Sequence, residues 1–177
     1  QAHYTEGTCR LHMCYGFDFL SQPFPTGTRV SEIIQRFQRL APNSWACWAY
    51  SNHDVTRHTS RWSLGDDAHR LYLALLLSLR GSVCLYQGEE LALPEAYVSF
   101  EDLQDPYGIR FWPTFKGRDG CRTPMVWSTE GPQAGFSDAQ PWLPVAMEHR
   151  PQAVEAQDKD PASMLNFYRT MIGYRTT

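Results

Sequence analysis

The feature that most constrains this chain is an apolar, aromatic run closed by a polar cluster. Trp45-Ala46-Cys47-Trp48-Ala49-Tyr50 leads straight into Ser51-Asn52-His53-Asp54-Val55-Thr56-Arg57. Residues 45–51 read as a buried strand, because so short an apolar run bounded by turn residues fits a strand of a covered sheet. Chemistry-bearing side chains then sit at the strand's C-terminal end.

The same pattern recurs on both sides. Residues 12–20 form a first predicted strand, followed by a loop over 21–28. Residues 30–40 follow, with Val30, Ile33, Ile34 and Phe37 at a helical period. Ser31 beside Glu32 suits a helix start, and Ala41-Pro42-Asn43-Ser44 suits its end. After the second strand, Asp66 or Asp67 opens a helix whose apolar residues include Leu71, Leu75, Leu76 and Leu79. Arg80-Gly81 reads as its C-terminal stop. A third strand is predicted over 82–87. Residues 89–160 form a long irregular stretch rich in Pro, Gly and Trp, with a short helix expected around 99–105. Structureless loops of that length are usually functional. Asp160-Pro161 then opens a last helix, with an apolar face of Met164, Leu165, Phe167, Tyr168, Met171 and Ile172.

Strands alternating with helices predict an α/β class with parallel strands. A polar cluster at the C-terminal end of such a strand is where a (β/α)8 barrel carries its chemistry. The chain has 177 residues, whereas such a barrel takes about 250, so the expectation is part of one. The net charge of −3 comes from interspersed acids and bases. No basic stripe or polybasic segment points to nucleic acid or to an anionic membrane. The apolar run over 71–79 is far too short to span a bilayer. Cys9, Cys14, Cys47, Cys84 and Cys121 are odd in number and lack C-x-x-C spacing. They read as small buried hydrophobes in a reducing, cytoplasmic compartment rather than as a zinc site or a disulfide framework. No signal segment is visible.

Four stretches together resemble the α-amylase superfamily, glycoside hydrolase family 13, in its α-glucosidase branch. They are Leu11-His12-Met13-Cys14-Tyr15-Gly16-Phe17-Asp18-Phe19-Leu20, the Asn-His-Asp segment, Gly81-Ser82-Val83-Cys84-Leu85-Tyr86-Gln87-Gly88-Glu89-Glu90-Leu91 and Gly117-Arg118-Asp119-Gly120-Cys121-Arg122-Thr123-Pro124-Met125. The resemblance implies strands 6, 7 and 8 of a (β/α)8 TIM barrel with their helices and a long β8-α8 loop. Residues 1–177 would then be the C-terminal part of the catalytic domain, without its inserted domain or C-terminal β-domain.

By the same resemblance Asp54 is the transition-state stabiliser and His53 contacts sugar hydroxyls. An arginine of the Gly-Arg-Asp loop holds the non-reducing-end glucose, either Arg118 or Arg122, with Arg118 preferred. Arg suits that task because its donor fork is rigid and always charged. Arg57 is a further candidate for the substrate site, read either as pairing with a carboxylate or as a surface group. Gln87 and Glu89 read as organisers of the loop. Tyr107, Trp112, Phe115 and Trp127 could stack on sugar or pin the loop. Val126 stands where relatives usually carry Pro or Gln, which touches loop packing or the edge of the aglycone subsite.

Retaining glycosidases use two carboxyl groups about 5 Å apart, one nucleophile and one acid/base. The family's nucleophile motif, Gly-x-Arg-x-Asp, does not occur in the chain. Its only Gly-Glu pair, Gly88-Glu89, lies downstream of Asp54. Before Asp54 the carboxylates are Glu6, Asp18 and Glu32, none in that context. The expectation is therefore an α-glucosidase whose substrate is an α-glucoside or short oligosaccharide, with this segment inactive alone. No cofactor and no metal are expected, since no Asp-rich cation loop is present. A reading from another class is a non-catalytic carbohydrate-binding or interaction protein built on a degenerate barrel piece, its open sheet edges liable to pairing. Linkage preference is not encoded in these stretches, and oligomeric state is open.

Overall fold

In the computed structural model, residues 2–5, 7–20 and 24–177 are described. Three short parallel strands form one sheet in the order β1 (Cys14–Gly16), β2 (Ala46–Trp48), β3 (Ser82–Val83). Tyr15 pairs with Cys47 and Trp48 with Val83. Each strand is shorter than its apolar run predicts. In the second run, Ala49, Tyr50 and Ser51 stay buried after the ladder hydrogen bonds end. Burial, which sets the run length, thus extends beyond pairing.

Among the described residues seven α-helices accompany the sheet: α1 (Ala2–Thr5), α2 (Gly27–Leu40), α3 (His58–Arg61), α4 (Asp66–Ser78), α5 (Pro106–Phe111), α6 (Val154–Asp158) and α7 (Met164–Thr176). The order is β1-α2-β2-α4-β3-α7, with the long loop before α7. Helix α2 starts earlier than Ser31 suggests. Thr26 is its cap, its side chain accepting from the Arg29 N–H, and Ser31 lies inside. The predicted loop over 21–28 is described from Phe24 onward; its first three residues lie outside the described set, as does Glu6. The last helix starts at Met164 rather than at Pro161. Ser163 caps it through the Asn166 N–H, while Asp160 caps the preceding turn through the Ala162 N–H.

The buried stripe of α4 also differs from expectation. His69, Tyr72, Leu73, Leu76 and Leu77 are buried, whereas Leu71 is two-thirds exposed. The run is apolar nearly all round, so its phase is not visible in sequence. Two neighbours set it. Tyr72 and Leu76 join the core over β2, with Phe19, Val30, Ile33, Ala46, Trp48 and Tyr50. Leu73 and Leu77 instead meet Met164 and Tyr168 of α7. His69 Nε2 lies 3.0 Å from the Tyr168 hydroxyl across that second contact.

The long loop is built on small cores of its own. Leu91, Leu93, Val126, Ala134, Ala153 and Leu165 form one, and Val98, Leu103 and Leu143 another, with Trp112 packed against it. Instead of a helix over 99–105, a 3₁₀ turn at Phe100–Asp102 precedes α5, which Asp105 caps through the Tyr107 N–H. All five thiols are free, but Cys9 and Cys84 are exposed. Cys84 lies past the end of β3, so the buried reading holds for Cys47 and Cys121 only. Among the described residues no helix is long and apolar enough to cross a membrane.

Two consequences for stability are measurable. Gly81 has φ of +133°, and a Cβ there would lie 2.7 Å from the Ala46 carbonyl oxygen. Gly81→Ala is expected to cost about 2–3 kcal/mol in urea unfolding, from backbone strain and a clash in the sheet. Burial holds His69 neutral, with its pKa lowered from 6.5 to about 3. The unfolded chain therefore binds more protons between those values, and the His69 contribution is present at pH 7 and lost as pH falls from 6.5 toward 3. Relative to His69→Gln, the wild type should lose on the order of 2–3 kcal/mol between pH 7 and pH 4. Parallel stability–pH curves for the two proteins would refute this.

Candidate active-site face at the strand ends

Beyond β2 the backbone turns on Asn52, whose side chain accepts from the Asp54 N–H at 2.9 Å. This turn presents His53 and Asp54 outward at the C-terminal end of the sheet. Asp54 keeps about half its side-chain exposure, 49%. The His53 imidazole Nε2 lies 3.5 Å from Asp54 Oδ2.

Two arginines from the long loop converge on the same carboxylate oxygen. Arg118 Nη1 donates to Asp54 Oδ1 at 2.9 Å and Arg122 Nη2 donates to it at 3.3 Å. Arg122 also donates from Nε to the His53 carbonyl at 2.8 Å, fixing the backbone beside the carboxylate. Two buried loop carboxylates stand behind the arginines. Asp105 takes the Arg118 guanidinium at both oxygens, 2.8 Å from Nε and 3.0 Å from Nη2. That pairing holds the Asp105 carboxyl down to about 2 against its burial, and it raises Arg118. Asp119 accepts the Gln104 and Asp105 N–H groups at 2.7 Å each and lies 4.0 Å from Arg122 Nη1.

His53, Asp54, Arg118 and Arg122 are thus brought together, and Arg57 is not. Arg57 is 1% exposed, so the expectation of a substrate contact is corrected. Neither of its two predicted roles applies. Its guanidinium donates to backbone carbonyls, to Gln87 O and, at 3.0 Å, to Cys121 O. Its backbone N–H donates to Glu95 Oε2 at 2.9 Å. The Tyr86 ring lies 5.5 Å from the guanidinium.

Gln87 and Glu89 have the geometry of loop organisers. Gln87 Nε2 donates to the Cys121 and Thr123 carbonyls at 3.4 and 3.3 Å. Glu89 Oε2 accepts the Tyr86 N–H at 2.8 Å, and its other oxygen lies 3.0 Å from His58 Nδ1. Ser51 Oγ lies equally close to that nitrogen and accepts the His58 N–H. Val126 is wholly buried in a loop core, so its departure from the family pattern acts on packing. Among the four aromatics considered for stacking, Tyr107 is exposed with its ring 5.7 Å from the Arg118 guanidinium. Trp112 pins the loop against Phe100.

Asp105 and Glu95 were not distinguished by sequence reasoning. Asp105 carried one local signal: an Asp directly before a Pro is a helix cap. Nothing local marks Glu95. Burial raises its pKa, and its partners Arg57 and Ser60 lie more than thirty residues away.

Known proteins share this arrangement of sequence and fold. The alpha amylase catalytic-domain family matches residues 10–177. A probable alpha-glucosidase of Rhizobium meliloti is 58% identical over 97% of this chain and 32% of its own length. A salivary alpha-glucosidase of Anopheles gambiae is 37% identical over 85% of this chain and 26% of its own. The crystal structure of the alpha-glucosyl transfer enzyme XgtA superposes with a TM-score of 0.91 at 50% identity, covering 99% of this chain and 33% of that one. The chain therefore spans about a third of the relatives it matches. With the family matched across nearly all of its residues, the chain belongs to the alpha-amylase catalytic-domain family and has that family's TIM-barrel type of fold, represented by a small parallel sheet with its helices.

Proposed function

We propose that this chain is the C-terminal part of the catalytic barrel of an α-glucosidase, contributing strands 6, 7 and 8 as β1, β2 and β3. The whole enzyme cleaves terminal α-glucosidic bonds of short oligosaccharides with retention. Asp54 stabilises the oxocarbenium-like transition state, His53 and the arginines Arg118 and Arg122 bind sugar hydroxyls, and the nucleophile and acid/base come from elsewhere in the barrel.

The observation that carries the reading is the placement of Asp54. It stands exposed at a strand end, with two guanidiniums on one oxygen and the other oxygen turned toward His53. An anionic group held by preorganised donors, near the point where positive charge develops, is the arrangement electrostatic catalysis requires. The relatives' names support the substrate class. The lack of a Gly-x-Arg-x-Asp stretch supports a nucleophile outside these residues. Without nucleophile and acid/base there is no covalent route.

Two outcomes are expected. In the longer protein, Asp54→Asn lowers kcat on para-nitrophenyl α-D-glucopyranoside by at least ~10²-fold, in the range seen when a transition-state stabiliser is removed. Near-normal kcat would overturn the assignment. The 177-residue chain alone hydrolyses the same glucoside no faster than buffer. Measurable release of α-glucose, followed by NMR of the anomers, would show that the segment carries its own carboxylate pair.

A further inference from the structure

We infer that Asp105 is a positioning residue that aims the Arg118 guanidinium at Asp54 and the sugar beside it. The inference rests on the α-glucosidase reading above and deepens it.

The geometry is specific. A guanidinium is planar, so fixing two of its nitrogens fixes the direction of the third. Asp105 binds Nε and Nη2, at 2.8 and 3.0 Å. Nη1 is then left pointing at Asp54 Oδ1, 2.9 Å away. The same carboxylate accepts the Arg118 backbone N–H at 2.9 Å, so both ends of the arginine are tied to one group. Asp105 has no side-chain exposure, and among the described residues Arg118 is its one ion-pair partner. Water cannot substitute for either bond. A bidentate pair of this kind fixes orientation as well as charge.

The surrounding backbone is shaped for this contact. Asp119 accepts the Asp105 N–H at 2.7 Å and so holds the positioning carboxylate itself. Gly117 has φ of +82°, and a Cβ there would lie 2.9 Å from Gly108 Cα and 3.1 Å from Asp105 Oδ2. Only a residue without a side chain brings the Arg118 segment this close. Asp105 also caps α5 through the Tyr107 N–H at 3.1 Å. A purely structural role would end there, and the experiment separates the two.

The test uses the longer protein that carries this chain, with para-nitrophenyl α-D-glucopyranoside as probe. Asp105→Asn retains an oxygen for the α5 cap and turns an amide NH2 toward the guanidinium donors. Its kcat/KM should fall about tenfold or more, with the melting temperature within about 3 °C of wild type. In an Arg118→Ala background the same substitution should change kcat/KM less than about twofold, because the group it acts through is gone. Equal losses in the two backgrounds would overturn the inference, as would unchanged kcat/KM for Asp105→Asn. If Asp105→Asn does not fold, Arg118→Lys decides. A lysine keeps the charge but cannot span Asp105 and Asp54, so a loss of about tenfold at unchanged melting temperature supports the inference. Wild-type kcat/KM in that variant overturns it. Asp54→Ala, assayed in parallel, separates the two levels. Retained activity there removes the α-glucosidase reading itself, while lost activity with a silent Asp105 removes the positioning role alone.

Discussion

The buried guanidinium of Arg57 ties the functional end of the molecule together. It follows β2 by nine residues, yet its donors end on the carbonyl of Gln87, beyond β3, and of Cys121, in the long loop. Its own N–H is held by Glu95, whose N–H is in turn held by Ser60. Two segments distant in sequence are thereby fixed to its side chain and a third to its backbone. A charged group this deeply desolvated is costly to bury, and the two carbonyls bonded by its Nη1 and Nη2 offset part of that cost. The segments that supply its carbonyls consequently cannot move independently. Cys121, which supplies one of those carbonyls, lies between Arg118 and Arg122, so the position of these two arginines is tied to a third that is itself buried.

Charge is distributed around Asp54 on the same plan. Asp105 is bonded at both oxygens by backbone N–H groups and Arg118, and Asp119 Oδ2 takes two backbone N–H groups, so both carboxylates behave as fixed parts of the loop. The arginines span from this fixed layer to the exposed layer at Asp54. Each of these bonds holds the layer in place, because losing one leaves a further buried polar atom unpaired. Arg122 adds a second constraint by bonding the His53 carbonyl. The backbone under the His53 imidazole and the carboxylate next to it are therefore held together.

How much of this was legible follows from how far each signal lies along the chain. The α2 stripe of Val30, Ile33, Ile34 and Phe37 was readable because its period is local and its opposite face is polar. The phase of α4 was not, since an all-round apolar run takes its orientation from β2 and α7, packed against it by residues far away in sequence. The Asn-His-Asp cluster and the Gly-Arg-Asp loop were recognisable as motifs, and the fold brings Asp54 within hydrogen-bond reach of both Arg118 and Arg122. The substrate role given to Arg57 failed for a complementary reason. A short motif records neighbours in sequence, whereas burial depends on Cys121 and Gln87 closing over the side chain. Asp105 was silent because an Asp before a Pro looks like any helix cap; its bond to Arg118 joins residues thirteen apart across an irregular loop.

The balance of charge in the cluster has a consequence for mechanism. Asp54, Asp105 and Asp119 are three carboxylates, and Arg118 and Arg122 are two guanidiniums, so the set carries one net negative charge. Most of the positive charge is directed at the buried pair: Arg118 gives two of its three ion-pair bonds to Asp105. The exposed carboxylate thus remains an electron-rich group at the mouth of a site that donors hold still. If the segment serves the proposed α-glucosidase, a cationic transition state gains from that arrangement, whereas a neutral sugar gains mainly hydrogen bonds. All of the residues that create this field lie within one contiguous stretch of 177 residues. The proposed covalent route requires a nucleophile and an acid/base carboxyl from outside this cluster. On the proposed reading, electrostatic preorganisation and bond-making come from different parts of the barrel, and this segment holds the first.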